Sequence, residues 1–167
     1  MTPSSMTAAL ATLCCACTAG PQNAQSDAPA AETGPRGPGE FLPEYQTSSS
    51  FFTRTSQPAA SGSVHGKVRI WYSSNIKDVP VSGPIAVPEG TVAVKEEYDG
   101  SNHVFVKVVM IKRPAGYDPA NHDWYYEARN PDNTIATNPT PGKPSLCINC
   151  HRDGSTTDFL RGFAIAN

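Results

Sequence analysis

The sequence has no excess of either charge: 13 Lys and Arg stand against 15 Asp and Glu in 167 residues. There is no basic field for nucleic acid and no acidic tail, so neither a nucleic-acid partner nor a charged interaction arm is expected. Charge is also missing from the start of the chain, where the first charged residue is Asp27. Met6 to Gly20 (MTAALATLCCACTAG) is apolar and rich in small residues, but too short to span a bilayer. Its length suits the apolar region of an export signal, although the usual positive flank is absent. Cysteine is confined to two places, with Cys14, Cys15 and Cys17 packed near the N-terminus and Cys147 and Cys150 near the other end.

Pro (16) and Gly (13) are plentiful and favour turns and linkers over long helices. Residues 1–20 read as an export signal or a lipoprotein leader. Cys17 after Ala16 is the candidate lipidated residue, yet Cys14 stands where a leucine is usual. A disordered start with incidental cysteines is the bland alternative. Residues 21–39 (PQNAQSDAPAAETGPRGPG) hold almost no bulky apolar side chain and cannot offset their ordering entropy, so a flexible tether is expected there.

A folded domain is expected over residues 40–167. Phe41, Leu42, Tyr45, Phe51 and Phe52 are its first bulky apolar residues. Val64 to Ser73 alternates, with Val68, Ile70 and Tyr72 on one face and Lys67, Arg69 and Trp71 on the other. Thr91 to Tyr98 alternates as well, Val92 and Val94 facing one way and Ala93 and Lys95 the other. Val104 to Ile111 is nearly all apolar and predicts a central, two-sided strand, and Trp124 to Arg129 predicts a fourth. Turn signals separate them at Val87 to Gly90, Asp99 to Asn102 and Pro114 to Pro119. The expected fold is mainly β (α+β), an antiparallel sheet meander with short helices. One of those helices is expected from about Thr156 to Phe163.

The most specific chemistry lies in Cys147-Ile148-Asn149-Cys150-His151. This C-x-x-C-H pentad is the attachment signature of a c-type haem: two thiols reach the vinyl groups of a porphyrin and the following histidine ligates the iron. The haem-attachment segment would therefore stand at the C-terminus of the domain. A structural zinc site would need a second ligand pair at the right spacing, and no cysteine follows Cys150. A thioredoxin-type dithiol would need a strand-to-helix setting early in an alternating pattern, not a place at the end of the chain. A covalent haem is attached outside the cytoplasm, which supports the export reading and a periplasmic or exported location.

Taken together, several segments resemble the cytochrome P-460 family, small exported mono-haem proteins on a mainly β fold. The matching stretches are Val68-Arg69-Ile70, Gly90-Thr91-Val92-Ala93-Val94-Lys95-Glu96, Asp123-Trp124-Tyr125-Tyr126, and Cys147 through His151 followed by Thr157-Asp158. The resemblance implies one haem c, with thioethers from Cys147 and Cys150 and His151 as proximal iron ligand. It assigns Lys95 to a covalent bond with the porphyrin and Arg69 to the distal side. It implies an oxidoreductase of small nitrogen species, hydroxylamine or nitric oxide, passing electrons to a soluble acceptor, and a homodimer formed through the sheet.

The residues themselves leave alternatives open. From pattern alone Lys95 pairs with Glu97 on its own strand face or reaches water. Arg69 is equally readable as a surface arginine stacked on Trp71. Asp158, seven residues after His151, would share its helix face and could help hold the haem segment, though an acid in an exposed helix is the plainer reading. His65, His103 and His122 are candidate sixth iron ligands, but each sits at a strand end or in a loop and reads as solvated, and Met110 reads as core. One departure from the family stands out. Family members that oxidise hydroxylamine carry a carboxylate on the distal side, useful for relaying protons, whereas Val104 to Ile111 contains no acid. Its apolar Phe105, Val106, Val108, Val109 and Met110 are more similar to the related cytochrome c-prime-beta proteins, whose pockets bind nitric oxide. Glu96 or Glu97 is left as the substitute acid. A plain electron carrier with six-coordinate iron is the third reading.

Overall fold

The structure, a computed structural model, describes residues 41, 43–61, 65–81 and 84–161. The leader and tether expected over 1–20 and 21–39, with their three cysteines, lie outside the described residues.

One antiparallel sheet of six strands organises the domain. Its path runs β1 (Phe51–Thr53), β3 (Lys67–Ser73), β4 (Val92–Tyr98), β5 (Val104–Lys112) and β6 (Trp124–Arg129). The short β2 (Ala59–Ala60) also pairs with β3. From β3 onward each strand pairs with the next in sequence, the meander expected from the turn spacing. A mainly β fold is therefore correct.

The turns form as their residues dictate. Asp99 accepts the backbone N–H groups of Ser101 and His103 on its side chain, closing the β4–β5 hairpin at 2.8 and 2.9 Å. Before β4 the backbone turns at Gly90 with φ 80°, a value that glycine adopts without a Cβ clash.

Alternation along the strands sends residues to two cores. Tyr72, Ala93, Met110, Trp124 and Tyr126 gather on one face with Ile76, Val87, Ile148, Phe159 and Leu160. Val92, Val94, Val109 and Ile111 gather on the other with Phe41, Tyr45 and Phe51. β5 contributes to both, as its unbroken apolar run predicts.

The C-terminal segment departs from expectation. Among the described residues a single α-helix, α1 (Ser145–His151), carries the pentad itself and is followed by a 3-10 segment, Arg152–Thr157. No helix begins at Thr156: Asp158 and Phe159 both take left-handed backbone angles, φ 51° and 64°, which end helical continuation. The last residues of that expected helix, 162 and 163, lie outside the described residues. α1 is held by Ile148, which is buried in the first core. The 156 carbonyl accepts from Ile85 N–H at 2.9 Å, tying the segment to the loop before β4. Among the described residues no helix is long and apolar enough to cross a membrane.

Candidate functional site

The site is assembled from α1 and the sheet face that it covers. On a helix, Cys147 shares a face with Cys150 and His151, three and four positions on. Ile148, three positions before His151, is buried in the first core, and Cys147 packs against the same cluster. Cys147 is half-buried, Cys150 is exposed, and both are free thiols. Burial raises the Cys147 pKa, Lys95 opposes this and Cys150 adds to it. Leu146, beside the first thiol, is 71% exposed, an unusual position for leucine in a chain with two packed cores.

His151 is the most tightly specified group. Its Nδ1 lies 2.8 Å from the carbonyl oxygen of Phe159. A carbonyl only accepts, so Nδ1 carries the proton. Burial pulls the pKa down to about 4; the Phe159 bond opposes this, while Lys95, His65 and Arg161 reinforce it. The imidazole is thus neutral at neutral pH, with the Nε2 lone pair available to a metal. The Tyr126 ring packs edge-on against it at 5.5 Å. The Tyr126 hydroxyl is buried without a hydrogen-bond partner among the described residues, an arrangement that folding normally avoids.

Lys95 comes to the same side. Strand parity puts Lys95 and Glu97 on the face of β4 that carries the first core, opposite Val108 and Val106 of β5. Burial lowers the Lys95 pKa to about 8, against the pull of Glu97 and of both cysteines, which are close enough to act on its charge. Its Nζ is 3.5 Å from Glu97 Oε1, and that oxygen is 2.6 Å from His65 Nδ1. Burial alone would raise the Glu97 carboxyl; the His65 hydrogen bond and the Lys95 charge outweigh it and hold the group below the ordinary value. The pairing of Lys95 with Glu97 is thus real, but it is buried, with only 15% of the lysine side chain exposed.

The structure does not bring Arg69 to this site. Arg69 is paired with Glu96, and Ile70 with Lys95, so Arg69 stands on the opposite face of the sheet. Its guanidinium lies 4.5 Å over the Trp71 ring, the stacked alternative. Glu96 belongs to that second face too and is fully buried. Its carboxylate accepts from Tyr45 at 2.6 Å, Trp71 at 3.0 Å, Tyr98 at 2.7 Å and from Gln46. Of the two candidate acids, only Glu97 is on the sheet face of Lys95 and the first core. Within β5 the pentad side is built by Val106, Val108 and Met110; Phe105 and Val109 face away.

Three other readings change. Asp158 is buried, not an exposed helical acid. His122 bonds it at 2.6 Å, and His65 bonds Glu97, so neither histidine is simply solvated. His103 stays at the surface, 80% exposed, with its Nδ1 3.8 Å from Asp99 Oδ2. Met110 is core, as expected. Sequence reasoning passed over the Phe159 carbonyl and the Tyr126 ring. Tyr126 carried a signal in the alternation of β6, whereas a backbone carbonyl carries none.

The residues present fit a covalently held haem. A half-buried and an exposed thiol share a helix face with an imidazole whose Nδ1 carries the proton, apolar Leu146 lies exposed beside them, and the buried Tyr126 hydroxyl nearby has no partner among the described residues. Among the described residues no three His, Cys, Asp or Glu side chains converge as they would on a metal ion. No protein-family model matches the chain, and no curated protein matches it.

Proposed function

We propose that this chain is an exported c-type haem protein of the P-460 kind, acting as an oxidoreductase of a small nitrogen species, hydroxylamine or nitric oxide. The observation that carries the reading is the pentad helix: His151 donates Nδ1–H to Phe159 and keeps Nε2 free, on the same helix face as two unpaired thiols. Cys147 and Cys150 would hold the group by thioethers and His151 would ligate its iron. When bound, haem would supply a redox-active iron able to take a small ligand and to exchange electrons with a soluble acceptor.

The remaining work falls to the chain. The Phe159 carbonyl raises the basicity of His151 through its hydrogen bond. Burial biases Lys95 toward the neutral amine, the form able to act as a nucleophile, and this supports its assignment as a third covalent contact. Glu97 is held ionised between Lys95 and His65. His65 is 31% exposed, so the pair offers a proton path between solvent and the buried face. Arg69 has no part in this reading.

A second reading is favoured by Val106, Val108 and Met110, which make the pentad-facing side of β5 apolar. Such a wall suits a nitric-oxide-binding protein without turnover. The absorption spectrum of the haem-loaded protein, followed by hydroxylamine addition, separates them. Turnover with a soluble acceptor supports the oxidoreductase; a stable nitric oxide adduct without hydroxylamine oxidation supports the binding protein. A six-coordinate low-spin spectrum contradicts both.

A further inference from the structure

We propose that Asp158 is a positioning residue for His151, acting through the backbone carbonyl of Phe159. Asp158 and Phe159 are consecutive non-glycine residues with φ 51° and 64°. A bulky side chain such as phenylalanine rarely takes this conformation, and it persists only where the surroundings enforce it. The Asp158 carboxylate supplies that enforcement. It is buried, and its Oδ2 accepts from Val87 N–H at 2.8 Å and Lys112 Nζ at 2.7 Å. Oδ1 lies 2.6 Å from His122 Nδ1. The Asp158 carbonyl accepts from Trp124 Nε1 at 2.8 Å. The Phe159 ring packs edge-on against His122 at 4.5 Å.

Four distant parts of the chain therefore fix one residue: the loop before β4, the end of β5, the turn at His122 and the start of β6. The backbone that leaves this anchor turns the Phe159 carbonyl back to His151 Nδ1 at 2.8 Å. Asp158 never touches His151, so it sets which nitrogen is protonated and where the ring points without joining the chemistry. What His151 ligates rests on the haem reading; its tautomer does not.

The test is imidazole nitrogen NMR on the uniformly labelled full chain, without haem. In the parent chain His151 shows one neutral tautomer, protonated at Nδ1 and slow to exchange. Asp158→Ala loses that dominance and mixes in the Nε2–H form with faster exchange. Asp158→Asn, which still accepts from Val87 and tolerates positive φ, is expected to be intermediate. His122→Gln, at a side chain 42% exposed, tests the same chain of contacts with little risk to folding and should shift His151 in the same direction. Lys107→Gln removes a buried charge that reaches Pro131 and Asn133 instead, and should leave His151 unchanged. In haem-loaded protein the Asp158 series should lower the ferrous iron–histidine stretching frequency.

The proposal is overturned if the parent His151 is not the Nδ1–H tautomer. It is equally overturned if Asp158→Asn and His122→Gln leave His151 unmoved, or if Lys107→Gln moves it as much. A tautomer response as expected in a chain that takes up no haem would sink the haem reading and leave this one standing.

Discussion

Lys95 Nζ lies 3.5 Å from Glu97 Oε1 on the sheet face beneath the pentad helix, while their strand neighbour Glu96 is buried in the opposite core. One-residue alternation along β4 thus separates a polar group placed beside two thiols from one that secures the fold.

The Lys95 amine makes stability depend on pH. Its folded pKa, about 8, is below the ordinary 10.5. Between those values the unfolded chain binds a proton that the folded chain has released, so stability rises with pH across that window. Below about pH 8 the full cost of burying the ammonium applies, roughly 3 kcal/mol at 1.36 kcal/mol per unit. In the chain without haem, Lys95→Met should be more stable than the parent at pH 7 by up to that amount. The gain should fade toward pH 10.5. Denaturant melts at several pH values would show this; equal stabilities at pH 7 would refute it.

Cys147 and Cys150 should each carry one thioether. In a host with haem-attachment machinery, either single Cys→Ser variant should keep one covalent link and the double variant none. The haemochrome spectrum of the denatured protein reports the number of saturated vinyl groups. A double variant that still holds haem through denaturation would contradict the assignment.

The Glu96 cluster should matter to stability and not to the cofactor. Tyr45→Phe removes one buried hydrogen bond to a charged group and should cost about 1.5–3 kcal/mol. Glu96→Gln should cost at least as much, since it leaves donors from Tyr45, Gln46, Trp71 and Tyr98 competing for a neutral amide. Chemical denaturation measures both. The haem spectrum of each folded variant should match the parent.

Arg69→Ala tests the placement of that residue away from the pentad. Losing the stack on Trp71 should cost about 0.5–1 kcal/mol, with an unaltered haem spectrum and unaltered ligand affinity. A spectral change comparable to that of a Lys95 variant would return Arg69 to the site.

The strands were legible because alternation over six or more residues has one explanation. Val68, Ile70 and Tyr72 could only share a face, and they do. β1 and β2, three and two residues long, are too short to show a period. The helix expected from Thr156 failed for a tertiary reason. Asp158 meets partners as far away as residues 87, 112 and 122, and these contacts override local propensity. In the candidate site, the pentad stood out because two thiols and an imidazole at that spacing form a recognised attachment signature. Glu97 was named as a partner for Lys95, but its pairing with His65 was not, because that depends on where the segment before β3 meets β4. Arg69 was misleading on motif alone, though the face it shares with Trp71 was visible in the alternation.

The most direct test is the intact mass of the chain, made in a host that attaches haem and measured after acid denaturation. The account predicts a coloured polypeptide heavier by one haem, with the label on the peptide containing Cys147 and Cys150 and, where the third covalent contact has formed, joined to the peptide containing Lys95. A colourless chain of unmodified mass, or one that binds zinc through those thiols, would contradict it.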